Sequence, residues 1–282
     1  MKTLKKWDVA STTRQGSDMA VSPDGTAYEM TGPDGASVIV LIHGLGLTRA
    51  TWRGHVPALA KKYRVLTYDL CGHGETVLPE ETPSLTVLSE QLRTLLDALG
   101  IAQAALVGFS LGGMINRRFA MDHPERTSAL VIQNSPHERS PEAQVLVEQR
   151  ARDTGAGGPA ATIEETLKRW FTPEYLEQNA DTVNWVRETV LANDPDNYTD
   201  HRYVLAAGVT ELIRPEPPIQ HPTLVMTCEN DTGSTPAMSH AIASEIEGAE
   251  TIIVPDLQHL GLLEQPVLFT DPVLEFLDRH LD

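Results

Sequence analysis

One short stretch, residues 105–118, constrains the fold of this chain more than any other. An apolar run of strand type leads into Gly108-Phe109-Ser110-Leu111-Gly112, and a helix-forming segment follows. This is a G-x-S-x-G pattern with a strand before the serine and a helix after it, the context in which the pattern is meaningful. The helix directs free N–H groups and the positive end of its dipole at Ser110. The stretch predicts a nucleophilic serine on a sharp strand-to-helix turn.

The segments around this turn alternate between strand and helix patterns. A hairpin is expected at Asp24-Gly25, and Leu88, Leu92, Leu95, Leu96 and Leu99 form the apolar stripe of a helix. The predicted strands are 38–42, 64–69, 105–109, 128–134, 223–227 and 250–254, and the other predicted helices are 52–61, 111–122, 237–246 and one from Pro266 with a joint at Pro272. The alternation predicts an α/β fold with a mostly parallel central sheet flanked by helices.

Residues 136–221 differ from the rest of the chain. They are rich in charge, turns and helix formers, and they contain no strand-like run. The βα alternation resumes only at Thr223. We therefore predict a core domain built from 1–135 and 222–282, and a helical cap, or lid, formed by 136–221.

Three residue types that cooperate in acyl transfer follow three separate predicted strands. Ser110, Asp231 and His259 occur in the order Ser…Asp…His, which is the order of an α/β-hydrolase triad. His259 would take the proton from Ser110, and Asp231 would orient and stabilise the imidazole. Glu138 and Asp256 are the rival positions for the acid.

The negative charge that develops on a substrate oxygen requires two fixed hydrogen-bond donors. The backbone N–H groups of Leu45, in the loop after the first core strand, and Leu111, at the start of the helix, are the expected oxyanion hole. His43 and His73 are expected to organise these loops by hydrogen bonding rather than to carry protons.

Five motifs together resemble the α/β-hydrolase fold superfamily: His43-Gly-Leu-Gly46, Tyr68-Asp-Leu-Cys-Gly-His-Gly74, Gly108-Phe-Ser-Leu-Gly112, the segment from Thr223 to Asp231, and Gln258-His259. The likeness covers nearly the whole chain. Asn193-Asp-Pro-Asp-Asn-Tyr198 and Trp170-Phe171-Thr172 look like the 3-oxoadipate enol-lactonase and carboxylesterase group. The resemblance implies a hydrolase that cleaves a small carboxylic ester or lactone through an acyl-enzyme. Cys228-Glu-Asn departs from the glycine that the family usually has before its acid.

The substrate pocket is less defined by the sequence. Trp52, Trp170, Trp185 and Arg139 are the residues we expect to bind substrate. The acidic surface favours a neutral substrate, whereas the lactonase resemblance implies a substrate with a carboxylate. An anionic substrate would require an arginine that faces the pocket, and the candidates are Arg117, Arg118, Arg139, Arg150 and Arg152.

Composition excludes several partners. A net charge of −17 argues against nucleic acid and anionic membranes. The chain has no metal-ligand or nucleotide-loop pattern, so no metal and no cofactor are expected. Cys71 and Cys228 cannot form a disulfide framework, and the first eight residues lack the apolar core of a signal peptide, which together predict a cytoplasmic protein. Aromatic residues in the predicted cap are compatible with a homodimer.

Other functions remain open at this point. The same triad supports C–C bond or amide hydrolysis, or a cofactor-free haloperoxidase or perhydrolase activity. A ligand receptor on a hydrolase scaffold is a further alternative. Dehalogenase and epoxide hydrolase are disfavoured because their relatives carry an aspartate where Ser110 stands.

Overall fold

The computed structural model describes residues 19–281, apart from the side chains of 154–156, and contains one eight-stranded sheet. The core strands are continuous apolar runs such as Val-Ile-Val-Leu-Ile, which suit a sheet that is covered on both faces. The strands are β1 (Ala20–Val21), β2 (Ala27–Thr31), β3 (Val38–Ile42), β4 (Arg64–Tyr68), β5 (Ala104–Phe109), β6 (Thr127–Gln133), β7 (Thr223–Cys228) and β8 (Glu250–Val254).

Helices connect and cover these strands. They are α1 (Val56–Leu59), α2 (Leu85–Ala98), α3 (Leu111–Asp122), α4 (Pro141–Asp153), α5 (Ile163–Trp170), α6 (Pro173–Gln178), α7 (Ala180–Leu191), α8 (Pro195–Ala207), α9 (Pro236–Ser244), α10 (Gly261–Glu264) and α11 (Pro266–His280). Short 3₁₀ segments occupy Arg49–Gly54, Pro124–Arg126, Thr154–Ala161 and Gly208–Glu211. None of the helices in the described range is long and apolar enough to cross a membrane.

The strand order decides where the functional residues meet. The order is β1-β2-β4-β3-β5-β6-β7-β8; β1 and β2 run antiparallel to their neighbours, and the strands from β4 to β8 are parallel. The order reverses between β3 and β5, and the crevice for a ligand lies beyond the carboxyl ends of the strands at such a point. The predicted α/β fold is confirmed.

The residues between β6 and β7, from 136 to 221, form α4 to α8, and we call them the helical segment. Two asparagines fasten it to the sheet: Asn193 Nδ2 donates to Gly46 O at 3.0 Å, and Asn197 Nδ2 donates to Gly72 O at 2.9 Å. These contacts give the Asn193–Tyr198 motif a structural role. Its description as a separate cap domain stays a prediction.

Several local expectations are corrected. The helix expected over 52–61 is instead a 3₁₀ segment followed by the four-residue α1, and α11 continues through Pro272 without a joint. The aromatic residues of the helical segment are buried or half-buried rather than exposed, which removes the observation behind the predicted dimer. Cys71 and Cys228 are both free and buried. The N-terminal residues that entered the cytoplasmic prediction lie outside the described range.

Candidate active site

Ser110 lies directly after β5, in a backbone conformation that few residues adopt. Its φ of 55° and ψ of −112° place it in the left-handed half of conformational space, where a side chain other than glycine is strained. The turn is tight, since a Cβ added to Gly108 would lie 2.1 Å from Gly112 O. Ser110 N donates to Gln133 O at 2.8 Å, and Ser135 Oγ donates to Ser110 O at 2.9 Å. The neighbouring strand therefore holds the turn in place.

Asp231 and His259 are paired at the ends of β7 and β8. His259 Nδ1 lies 2.6 Å from Asp231 Oδ2, and Asn134 Nδ2 donates to the same oxygen at 2.9 Å. The other oxygen, Oδ1, accepts from the N–H groups of Gly233 and Ser234, both at 2.9 Å. Each carboxylate oxygen thus has two partners, which fixes the plane of the group.

The surroundings keep Asp231 ionised. Burial alone would raise its pKa, but the charge and hydrogen bond of His259, with hydrogen bonds from Asn134 and Ser234, bring the pKa below the ordinary value. A permanent carboxylate at this position stabilises the positive charge that His259 acquires when it takes a proton. The pair has the geometry of a base and its orienting acid.

The rival acids do not contact His259. Glu138 is exposed and forms an ion pair with Arg214 at 2.9 Å. Asp256 is also exposed, and its backbone N–H donates to Glu229 Oε2. Within residues 19–281, Asp231 is the only one of the three candidates that pairs with the histidine.

Ser110 and His259 line the same cavity, with the Phe109 ring 4.9 Å from the His259 ring between centroids. No hydrogen bond joins the two side chains in the described structure, and such contacts commonly tighten when substrate binds.

The loop after β3 lies against Ser110 because β3 and β5 are neighbours in the sheet. A Cβ added to Gly44 would lie 3.2 Å from Ser110 Cβ. Leu45, which follows Gly44, lines the cavity, and Leu111 is the first residue of α3, whose N–H has no partner within the helix. The two predicted oxyanion donors therefore flank the serine.

Buried histidines organise this loop. His73 Nε2 accepts from Gly46 N at 3.1 Å, and His43 Nε2 accepts from Leu70 N at 3.0 Å. The ring of His201, from α8, lies 4.7 Å from that of His73. Burial lowers the pKa of all three imidazoles, so they are neutral at pH 7.

The cavity beside Ser110 has a volume of about 730 Å³ and lies between the strand ends and the helical segment. Of the expected pocket residues, Trp170 and Arg139 line it. The Trp170 and His259 ring centroids are 5.9 Å apart.

Two expected pocket residues lie elsewhere. Trp52 is 1% exposed in the hydrophobic core, with its ring edge-on to His55 at 5.4 Å. Trp185 stacks under the guanidinium of Arg53, 4.1 Å away, and does not line the cavity. Both predictions failed for the same reason. Burying a large aromatic ring stabilises the folded protein at any site, so an aromatic residue alone does not indicate a ligand pocket.

The structure also sorts the candidate arginines. Arg117 is buried and donates to Gly113 O, Ser135 Oγ and Pro136 O, so it braces the serine turn instead of facing the cavity. Arg118 and Arg152 lie outside the lining and pair with acidic residues. Arg139 and Arg150 line the cavity, together with two arginines that the sequence did not single out, Arg169 and Arg202.

Asn134 and the two additional arginines are the functional candidates that sequence analysis missed. Arg169 precedes Trp170, which was a pocket candidate, and Arg202 follows the Asn193–Tyr198 motif by one helical turn. Proximity to these motifs was the available signal. Asn134 had none, because its contact with Asp231 joins residues that are 97 positions apart.

Comparison with known proteins places these observations in context. A family model described as alpha/beta hydrolase fold matches residues 37–266. The chain is 28% identical over 263 residues to 3-oxoadipate enol-lactonase 1 of Acinetobacter baylyi, with 92% of each chain covered. It is 25% identical over 230 residues to (E)-2-((N-methylformamido)methylene)succinate hydrolase of the same organism, covering 81% of this chain and 85% of that one. The crystal structure of the enol-lactonase from Burkholderia xenovorans LB400 superposes with a TM-score of 0.82 at 31% identity, covering 92% of this chain and 99% of that one.

Proposed function

This chain belongs to the alpha/beta hydrolase fold family and is a hydrolase; we propose that it cleaves a small carboxylic ester or lactone through a Ser110-His259-Asp231 triad. The observation that carries the proposal is the paired Asp231 and His259, 2.6 Å apart, on the cavity that Ser110 also lines. The strained backbone at Ser110 supports the same role.

The proposed reaction has two stages. Ser110 Oγ attacks the carbonyl carbon while His259 Nε2 takes the hydroxyl proton, and the N–H groups of Leu45 and Leu111 bind the oxyanion. The intermediate collapses, His259 gives the proton to the leaving alkoxide, and an acyl-enzyme remains. Water, deprotonated by His259, then attacks the acyl group. Ser110 regains its proton from His259, and the carboxylic acid leaves.

The helical segment has a separate role in this proposal. It covers the strand ends, contributes Arg139, Trp170 and Arg202 to the lining, and is anchored to the sheet loops by Asn193 and Asn197. We propose that it acts as a cap that excludes water and selects the substrate.

Ester and lactone hydrolysis is the first choice because two of the similar proteins are named as enol-lactonases. Amide hydrolysis is the second candidate, and the name of the succinate hydrolase, which includes an N-methylformamido group, is the observation that favours it. Both reactions use the same nucleophile, base and oxyanion donors, so the cavity and the leaving group decide between them.

The test is hydrolysis of p-nitrophenyl acetate by the native protein and by Ser110→Ala. We expect a burst of p-nitrophenol from the native protein and at least a thousandfold loss of kcat in the variant. Ser244→Ala, an exposed serine at the end of α9, is the matched control and keeps full activity. A fluorophosphonate probe followed by peptide mapping identifies the labelled serine.

The outcomes separate the alternatives. Labelling of Ser110 without ester turnover leads to a panel of lactones, amides and C–C substrates. Equal turnover by native protein and Ser110→Ala, with no label on Ser110, contradicts the proposal. It would favour a ligand receptor on a hydrolase scaffold.

A further inference from the structure

Four arginines line the cavity beside Ser110, and we name Arg139, Arg150, Arg169 and Arg202 the arginine cluster. They come from the loop before α4 and from α4, α5 and α8, so the folding of the helical segment brings them together. The single acidic residue among the described lining residues is Asp231, which is already paired with His259. The cavity is therefore positively charged in a chain whose net charge is −17.

Eight other arginines in the described chain are neutralised by neighbouring acids. Each of the following has a carboxylate oxygen within 4 Å: Arg49, Arg93, Arg118, Arg126, Arg152, Arg187, Arg214 and Arg279. Such pairing is easy in a chain with 39 acidic residues. A shortage of acidic residues therefore does not explain an arginine that lines a cavity with only neutral partners.

Three members of the cluster have such neutral partners. Within the described residues, Arg139, Arg169 and Arg202 have only neutral oxygen partners: Gln144 Oε1 at 3.2 Å, Thr166 Oγ1 at 3.4 Å and Thr162 Oγ1 at 3.2 Å, respectively. Each guanidinium has five N–H donors, so most of its hydrogen-bonding capacity is unused.

The environment makes these charges costly. Burial lowers the pKa of Arg139, and burial together with the nearby charge of Arg169 acts against the charged form of Arg202. Repulsion between cations in a partly desolvated cavity destabilises the unliganded protein, and bound anions would remove that repulsion. A surface of solvated arginines would carry no such cost.

The number of guanidinium groups indicates how much negative charge they can bind. One carboxylate offers about four acceptor positions, and two bidentate guanidinium groups fill them. Three arginines with only neutral partners among the described residues exceed the capacity of one carboxylate. Two carboxylates match the cluster.

We propose that the arginine cluster binds two carboxylates of the substrate, which is therefore an ester or lactone derived from a tricarboxylic acid or a comparable dianion. This inference rests on the proposed function, since it identifies the substrate class of the same site. It also replaces the expectation, drawn from the acidic surface, of a neutral substrate.

The kinetic test uses three p-nitrophenyl esters that differ in charge: the acetate, the monosuccinate with one free carboxylate, and the monotricarballylate with two. We expect kcat/KM to rise about tenfold with each added carboxylate. Arg139→Gln and Arg202→Gln should each lower kcat/KM for the dianionic ester by about 10- to 100-fold, mostly through KM. The acetate, which has no free carboxylate, should lose less activity than the dianionic ester in the same variants.

Two further variants keep the result interpretable. Arg187→Gln removes one positive charge from α7, where Arg187 pairs with Glu164 outside the cavity, and it should leave the preference for the dianion unchanged. Arg139→Lys keeps the charge but loses the planar fork, so it should recover only part of the activity. Circular dichroism checks that every variant is folded.

A binding measurement separates this proposal from the catalytic one. Calorimetric titration of Ser110→Ala should show that glutarate binds at least tenfold more tightly than butyrate, and that Arg139→Gln in the same background removes the difference. Binding of glutarate without any esterase activity would overturn the proposed function and retain the arginine site. Ser110-dependent hydrolysis with equal rates for all three esters, unchanged by the arginine variants, would overturn the dianion proposal alone.

Discussion

The strand ends and the helical segment differ in how far the hydrogen-bonding capacity of their charged side chains is satisfied. At the strand ends, the Asp231 carboxylate has four hydrogen-bond donors, and its partner His259 lies between Asp231 and the Phe109 ring. In the helical segment, Arg139 and Arg202 line a cavity and have only neutral partners among residues 19–281. The first region is internally complete, whereas the second has unused hydrogen-bonding capacity that a ligand can satisfy.

Under the proposed function, this difference separates the residues of the chemical step from those that bind the substrate. Groups that move protons need fixed positions in every catalytic cycle, and a network of satisfied hydrogen bonds supplies them. Groups that bind a substrate gain affinity only if their own partners are weak before the substrate arrives. The arginines lie in the helical segment, which Asn193 and Asn197 join to the loops of the sheet, separate from the strand ends that hold Asp231 and His259.

The largest expected effect is a loss of kcat when the Asp231 carboxylate at the strand ends is replaced. Asp231→Asn should lower kcat by about 10⁴-fold, because an amide cannot stabilise the positively charged imidazole and can favour the wrong tautomer of His259. Stopped-flow hydrolysis of a p-nitrophenyl ester measures the loss.

Two rejected acids serve as controls for that variant. Asp256→Asn and Glu138→Gln should retain kcat within twofold, since neither residue contacts His259. A loss in Asp256→Asn equal to that in Asp231→Asn would show that the triad acid has been assigned to the wrong strand end.

The second prediction concerns a buried histidine that is not part of the helical segment. His55 lies 2.8 Å from Thr270 Oγ1 and 3.1 Å from Leu262 O, and burial lowers its pKa to about 4. An unfolded histidine titrates near pH 6.5. Between these two values the unfolded chain binds a proton that the folded chain does not, so stability is lost as the pH falls through this window.

The expected contribution of His55 is about 3 kcal/mol between pH 7 and pH 4. Urea unfolding at several pH values measures it, and His55→Gln should show a shallower decline in the free energy of unfolding because glutamine does not titrate. The decline will not vanish, since burial also lowers the pKa of His43, His73 and His201. An identical decline in the variant would show that folding leaves the pKa of His55 unchanged.

The smallest expected effects come from replacing two tryptophans, one in the hydrophobic core and one in the helical segment. Trp52→Phe should lower the free energy of unfolding by about 2 kcal/mol and leave kcat/KM unchanged, because the ring is enclosed in the core. Trp170→Phe should change KM by about three- to tenfold with a smaller effect on stability, because the ring lines the cavity. Urea unfolding and steady-state kinetics measure both quantities, and the reverse pattern would contradict the placement of these rings.

Much of the fold could be predicted from local patterns. Apolar runs of strand length identified β3 to β8 nearly to the residue, because strands buried on both faces need continuous apolar sequence. The short α1 was overestimated, and the uninterrupted course of α11 through Pro272 was missed. Helix ends depend on capping and packing partners that a window of sequence does not contain.

The sequence identified the candidate site residues that directly follow predicted strands. Ser110, Asp231 and His259 were assigned because each follows a strand, and the strand order brings those ends together. Trp52 was placed in the pocket wrongly, since an aromatic side chain gives no sign of which buried surface it will occupy.

By itself, the sequence determined the alternation of strands and helices and the order of the chemical groups along the chain, because periodicity and turn residues act locally. Only the tertiary structure decided which charges share a cavity. The members of the arginine cluster come from the loop before α4 and from α4, α5 and α8. Asn134, which follows β6, donates to Asp231, which follows the adjacent strand β7. Such encounters depend on how helices pack over the sheet, and that packing is set by contacts between residues distant in sequence.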